Sequence, residues 1–340
     1  MHKIFSLCQV ILLSLVAQCT YAAAHESAAS SSMSSAAGNA TDMEEVIVTG
    51  EWAGPRLWKV STRGAESGSE HVLWILGTLQ PLPKKMIWQS KEVAEVITES
   101  QQVIGNTSIK PNVSWFGLLP LYLQVRHLSK LPENQTLHDV LPPELYVRFA
   151  ALKQQYAAHD NELDKLRPMA AAARLYQDAV DSVGLTTRND VQAMVIKLAK
   201  DHDVKVRDLT IKVDEPREVL KQVDQLPRAA EVACLAATIT RLETDLPVMK
   251  RRAAAWATGD VKTLRQLVND EQRTTCGEAL LSAPRVQAVR AQTKASWFTA
   301  ARDALAHNKS TLALSPINDL LGTNGTLEQF RAAGYDVSGS

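Results

Sequence analysis

The chain carries no excess charge of either sign: 37 Lys and Arg stand against 37 Asp and Glu in 340 residues. Phosphate binding needs a basic surface, so the balance argues against nucleic acid as a partner. After residue 20 no apolar run reaches the ~20 residues of a membrane span, so no transmembrane helix is expected in the mature chain. Aromatics are sparse at 5%, although apolar residues reach 45%. That apolar share, without net charge, excludes a wholly disordered chain and leaves core for one large domain or two ordinary ones. Familiar catalytic and nucleotide-binding signatures are also missing. There is no P-loop, no GxGxxG, no GxSxG elbow, and no HExxH, HxxEH or HxH. His25, His71, His127, His138, His159, His202 and His307 therefore read as surface or capping residues.

Cysteine is scarce too, and two of the four residues, Cys8 and Cys19, fall at the N-terminus. There Lys3 gives a positive start, Ile4 to Val16 an apolar core, and Thr20 to Ala24 small residues suited to cleavage at Ala22 to Ala24. Residues 1–24 read as a secretory signal peptide, which places the mature chain in the periplasm or outside the cell. A lipoprotein signal fits less well, because Gln18 precedes Cys19 where a small residue is expected. Export implies an oxidising compartment, so Cys234 and Cys276 read as a disulfide, with two buried thiols as the alternative. Closing a loop of ~40 residues would stabilise the fold by ~3–4 kcal/mol.

Residues 25–43 are rich in Ser, Ala and Gly and read as a flexible linker. Glu45 to Gly50 (EVIVTG) reads as a first or edge strand. It also resembles the short energy-coupling box of TonB-dependent outer-membrane receptors, which would make a cell-envelope protein a partner. Trp52 to Val60 and His71 to Leu79 read as strands, the second apolar enough to lie centrally. Trp52, Trp58, Trp74, Trp88 and Trp115 read as core and rim of this part rather than as a ligand cage. Ser90 to Val103 reads as a helix with Val93, Val96, Ile97 and Val103 on one face. Helices follow over Glu144–His159, Ala170–Val183 and Thr187–Asp201, the last capped by Asn189 or Thr187. Val204 to Val213 alternates as a strand. Pro216–Leu226, Arg228–Thr258, Val261–Asn269 and Ala283–His307 are helical, with a break at Gly259-Asp260. Thr311–Leu314 is a short strand, Thr326–Ala333 a helix capped by Gly334, and Tyr335–Val337 a last strand.

Strands at both ends with helices between predict an α/β (α+β) fold. Its core is a central mixed β-sheet lobe built from both chain ends, with a large helical insertion. Residues 44–340 form one domain: an N-terminal α/β part over 44–139, a mainly helical part over 140–282 and a C-terminal α/β part over 283–340.

Leu73 to Pro83 (LWILGTLQPLP) resembles the opening motif of the TraB/GumN family, in which a buried strand ends in Gly-Thr-x-His. Leu312 to Gly325 (LALSPINDLLGTNG) is similar to the closing motif: a short strand, Gly-x-x-His-Leu, then a Gly-x-x-Gly turn. Leu327 to Val337 is similar to the family's last helix and strand, and Ala255-Trp256 with Gly259-Asp260 to a further pattern. The resemblance spans roughly residues 52–340. It implies an α/β fold related to the Tiki proteases and erythromycin esterases. In catalytic branches it also implies a divalent metal, held by the histidines of both motifs and by acidic residues between them, that activates water.

The chain departs from that pattern where the chemistry would sit. Gln80 stands at the first His, Asp319 at the second with Asn318 beside it, and Pro316 at the Gly of the closing motif. Gly105-Asn106 and Leu209-Thr210 stand where carboxylates are expected. Amides and hydroxyls are poor metal ligands. The pocket candidates carried over are Gly77, Thr78, Gln80, Asn318, Asp319, Gly322 and Gly325, with Lys84 and Lys85 at the mouth and Asp319 the sole metal candidate. No catalytic residue follows, since Ser315 has no evident base. The expectation is a non-catalytic exported protein that binds a small molecule or peptide without a cofactor. The alternative is a metal-dependent hydrolase, peptidase- or esterase-like, with Mg, Ca, Mn or Zn as the ion and altered oxygen ligands that would suit Mg or Ca rather than Zn.

Overall fold

The computed structural model describes residues 55–62, 70–84, 86, 91–269, 275–322 and 324–339. The expected signal peptide and linker, the Glu45 to Gly50 stretch, Trp52, Trp88 and Lys85 lie outside the described residues.

Ten strands are described: β1 (Leu57–Thr62), β2 (Val72–Thr78), β3 (Leu82–Pro83), β4 (Gln102–Ile104), β5 (Ser108–Pro111), β6 (Leu185–Thr186), β7 (Lys205–Arg207), β8 (Thr210–Val213), β9 (Ser310–Pro316) and β10 (Tyr335–Ser338). Six of them form the central sheet in the order β10-β1-β2-β9-β4-β7. β2, β9, β4 and β7 run parallel, while β1 is antiparallel to β2 and to β10. The sheet is therefore mixed and closed by both chain ends, as expected. β2 owes its interior place to its sequence: Leu73, Ile75 and Leu76 are fully buried. Each contributes about 1.5–3 kcal/mol of apolar burial. Trp58 is buried in this core and Trp74 is packed against it.

The helical insertion has a second core, in which Phe149, Leu163, Leu175, Leu235 and Ile239 are buried. The Cys234–Cys276 disulfide ties helix Arg228–Thr244 to helix Thr275–Leu281 across a sequence separation of 42.

Four expectations change. The helix expected over Ser90 to Val103 ends at Glu99, and Val103 lies in β4 between β9 and β7. Pairing with β9 overrides the helical spacing: Gln101 N donates to Ser310 O at 3.0 Å, and Ser100 Oγ turns back to Val96 O. The strand expected over Val204 to Val213 divides, because β7 joins the central sheet while β8 pairs with β5 in another. The helix expected over Arg228 to Thr258 breaks at Asp245, with Pro247 in the first turn of Leu246–Ala257, where proline has no N–H to lose. Trp115 is neither core nor rim packing. It is 73% exposed on helix Trp115–Leu128, an element the spacing analysis did not find.

Candidate functional site

Parallel strands end together, and ligands in open α/β sheets bind beyond those carboxyl ends. Here the register sets Gly77 beside Ser315 and Ile104 beside Ala313, so the residues leaving β2, β9 and β4 converge. Thr78 Oγ1 donates to the Ser315 carbonyl at 3.4 Å and accepts from Asn106 Nδ2 at 3.3 Å. Asn106 N donates to Gln192 Oε1 at 3.1 Å. Gln192 is aimed there by its own helix start, where Asn189 accepts from Gln192 N at 3.1 Å and donates to Gln192 Oε1 at 3.2 Å. Thr78, Asn106, Gln192 and Ser315 are all buried.

This polar layer is incompletely paired. Asn106 Oδ1, Thr107 Oγ1 and Gln80 Nε2 are buried with no hydrogen-bond partner among the described residues. Such atoms cost about 1–3 kcal/mol each when left unmet.

The strand ends are held by close packing. A Cβ on Gly77 would lie 2.4 Å from Ile317 Cδ1 and 3.1 Å from Trp58 Cζ3, so a side chain here would force Ile317 of the closing-motif helix Ile317–Leu321 to repack. Trp256 Nε1 donates to the Gly77 carbonyl and Trp297 Nε1 to the Leu314 carbonyl, each at 2.7 Å and both buried. Gly322 and Gly325 build the turn after that helix. A Cβ on Gly325 would lie 2.6 Å from the Gly322 carbonyl, and Gly325 N donates to it at 2.7 Å.

The charged candidates have partners of their own. The Asp319 carboxylate is paired with Lys294 at 3.3 Å, both side chains partly exposed. Lys84 Nζ donates to the Asp181 carbonyl at 2.7 Å, on helix Pro168–Ser182. Thr210 is bound to Ser108 at 2.8 Å between β5 and β8. Asn318 is half-buried in the closing-motif helix.

Residues 56–339 match the model of the TraB/PrgY/gumN family. The chain belongs to that family. No curated protein and no solved structure matches it significantly. The opening and closing motifs of this TraB/PrgY/gumN member are the two pieces that meet at β2 and β9.

The metal that the family implies in its catalytic branches does not fit these residues. The converging groups are the hydroxyl of Thr78, the backbone carbonyl of Ser315 and the amides of Asn106 and Gln192. A transition metal wants imidazole, thiolate or carboxylate, and Mg or Ca wants several carboxylate oxygens. The nearby carboxylate of the closing motif, Asp319, has a lysine as its partner. Among the described residues no three His, Cys, Asp or Glu side chains are grouped so that they could hold a metal ion.

Gln192 and Thr107 escaped the sequence reading. Asn189 was legible as a helix cap, but nothing in the local pattern shows that Gln192 turns its amide toward a strand far earlier in the chain.

Proposed function

We propose that this TraB/PrgY/gumN member is a non-catalytic binding protein of the periplasm or the cell exterior. The observation that carries the reading is the neutral, buried polar layer at the strand ends, formed by Thr78, Asn106 and Gln192, with Asn106 Oδ1 left unpaired among the described residues. A site of this kind suits amide or hydroxyl groups of a small molecule or peptide, and its neutral amides and hydroxyl are a poor ligand set for a metal that would activate water. The apolar run and small-residue site at the N-terminus support export.

The test is elemental mass spectrometry of the purified chain after dialysis, with thermal unfolding on adding Zn, Mn, Mg or Ca. The expected result is below ~0.1 metal per chain and no thermal shift, because a tight metal stabilises whatever binds it. A stoichiometric metal that is lost on Asp319→Ala would overturn the reading and favour a hydrolase with altered ligands.

A further inference from the structure

Helix Trp115–Leu128 is apolar on two opposite sides. Its inner side buries Leu121 and Val125 against Leu220. Its outer side leaves Trp115 and Phe116 73% exposed, Leu119 61% and Leu123 52%. At ~100° per residue those four fall within one arc of ~100°, and Arg126 continues the same arc at the carboxyl end. The Trp115 and Phe116 rings lie 4.5 Å apart at the start of that arc. A helix apolar all round belongs in an interior, yet the protein covers only one side of this one. Elsewhere among the described residues large exposed apolar side chains stand singly, as Val147 and Met194 do.

Charge identifies what covers the outer side. From Ser100 to Pro132 the chain has no Asp or Glu, while it carries Lys110, Arg126 and Lys130. Lys130 is paired with Glu162, but Lys110 and Arg126 make no ion pair among the described residues. On the packed neighbour helix Pro216–Asp224, Glu218 is paired with Lys221 and Asp224 with Arg167. The outer arc therefore presents aromatic and aliphatic side chains with Arg126 and no acid of the helix itself, and Asp214 beside the helix start accepts from Asn112 Nδ2 at 2.6 Å. A stable protein interface needs roughly 20–30 residues a side, more than one helix face offers. A bilayer asks neither that size nor a matched shape, and interfacial helices carry this Trp, Phe, Leu and Arg composition. We propose that helix Trp115–Leu128 lays its outer side on an anionic lipid bilayer.

The test is co-sedimentation of the purified chain with vesicles of phosphatidylglycerol and phosphatidylcholine, or of phosphatidylcholine alone, at low salt. The wild type is expected to bind the anionic vesicles about 10-fold better. Trp115→Ser/Phe116→Ser/Leu119→Ser is expected to abolish binding while keeping the wild-type unfolding temperature, since all three side chains are exposed. Arg126→Gln is expected to weaken binding to the anionic vesicles by about 5-fold. Absence of wild-type binding would overturn the proposal. So would binding that survives the triple substitution, which would place the contact elsewhere in the chain. Self-association without lipid that the triple substitution abolishes would assign the face to a second copy instead. None of these outcomes bears on metal content, so this proposal and the binding-protein reading fail separately.

Discussion

Trp256→Phe tests whether the tryptophan clamps set the geometry of the strand ends. Trp256 is 1% exposed, and its indole N–H reaches the Gly77 carbonyl at 2.7 Å, one residue before Thr78. Phenylalanine removes the donor and leaves that carbonyl facing an apolar ring, which costs about 1–3 kcal/mol. The smaller ring also leaves a void, adding about 1 kcal/mol. The expected loss is therefore about 2–4 kcal/mol. Trp115→Phe makes the same chemical change at a position 73% exposed, and its expected effect is within about 0.5 kcal/mol. Equilibrium unfolding in guanidinium, followed by far-ultraviolet circular dichroism, measures both without relying on the fluorescence being altered. A Trp256→Phe loss below about 1 kcal/mol, or an equal loss at Trp115, would refute the clamp.

Cys234→Ala/Cys276→Ala opens a loop of 42 residues and is expected to cost about 4 kcal/mol, read from unfolding with and without reductant. Gly325→Ala drives a methyl to within 2.7 Å of the carbonyls of Leu320 and Gly322 and is expected to cost about 2–3 kcal/mol in the same assay. Lys165 and Lys130 donate hydrogen bonds to Glu162 and hold its carboxyl down from 4.5 to about 2. That depressed value contributes stability above pH 4.5 and loses it as pH falls toward 2, so Glu162→Gln should flatten the thermal-stability profile across that window. Thr107→Val replaces an unpartnered buried hydroxyl with a methyl of similar shape, and unfolding should show no loss, or a gain of up to about 1 kcal/mol. A loss above that size would mean the hydroxyl is satisfied in the free protein.

How much of this was legible depends on the range of the interaction involved. β2 could be read because an apolar run with both faces buried needs only local sequence, and the Asn189 cap because capping is local. The disulfide followed from cysteine count and expected compartment. Where a distant partner decides, the reading failed. Val103 completes an apolar helical stripe with Val93, Val96 and Ile97, yet it serves a strand because β9 supplies its hydrogen-bonding neighbours. The site shows the same division. Gly77 and Thr78 were placed by their motif, but the Thr78 to Ser315 contact joins residues 237 apart. The partners of Lys84 and Asp319, Asp181 and Lys294, are likewise invisible from the motifs themselves. Helix Trp115–Leu128 was missed because both of its sides are apolar and an internal Pro120 obscures it, so no amphipathic stripe marks it.

The neutrality of the strand-end layer constrains what it can hold. A carboxylate at Asn106, buried and without a cation, would be driven toward its protonated form, so an amide is what the position tolerates in the absence of a metal. The same burial penalises an ionic ligand, which would lose its hydration and meet only amides and hydroxyls. A neutral ligand with N–H or O–H groups escapes that penalty. On the binding-protein reading it would donate to Asn106 Oδ1, the unmet acceptor that belongs to the Thr78–Gln192 layer. Relief of one unmet group is worth about 1–3 kcal/mol, or roughly 5- to 150-fold in affinity, without any ionic pair. On the binding-protein reading, amides and sugar-like hydroxyls are therefore the first chemistries to screen, ahead of phosphates, carboxylates and metals.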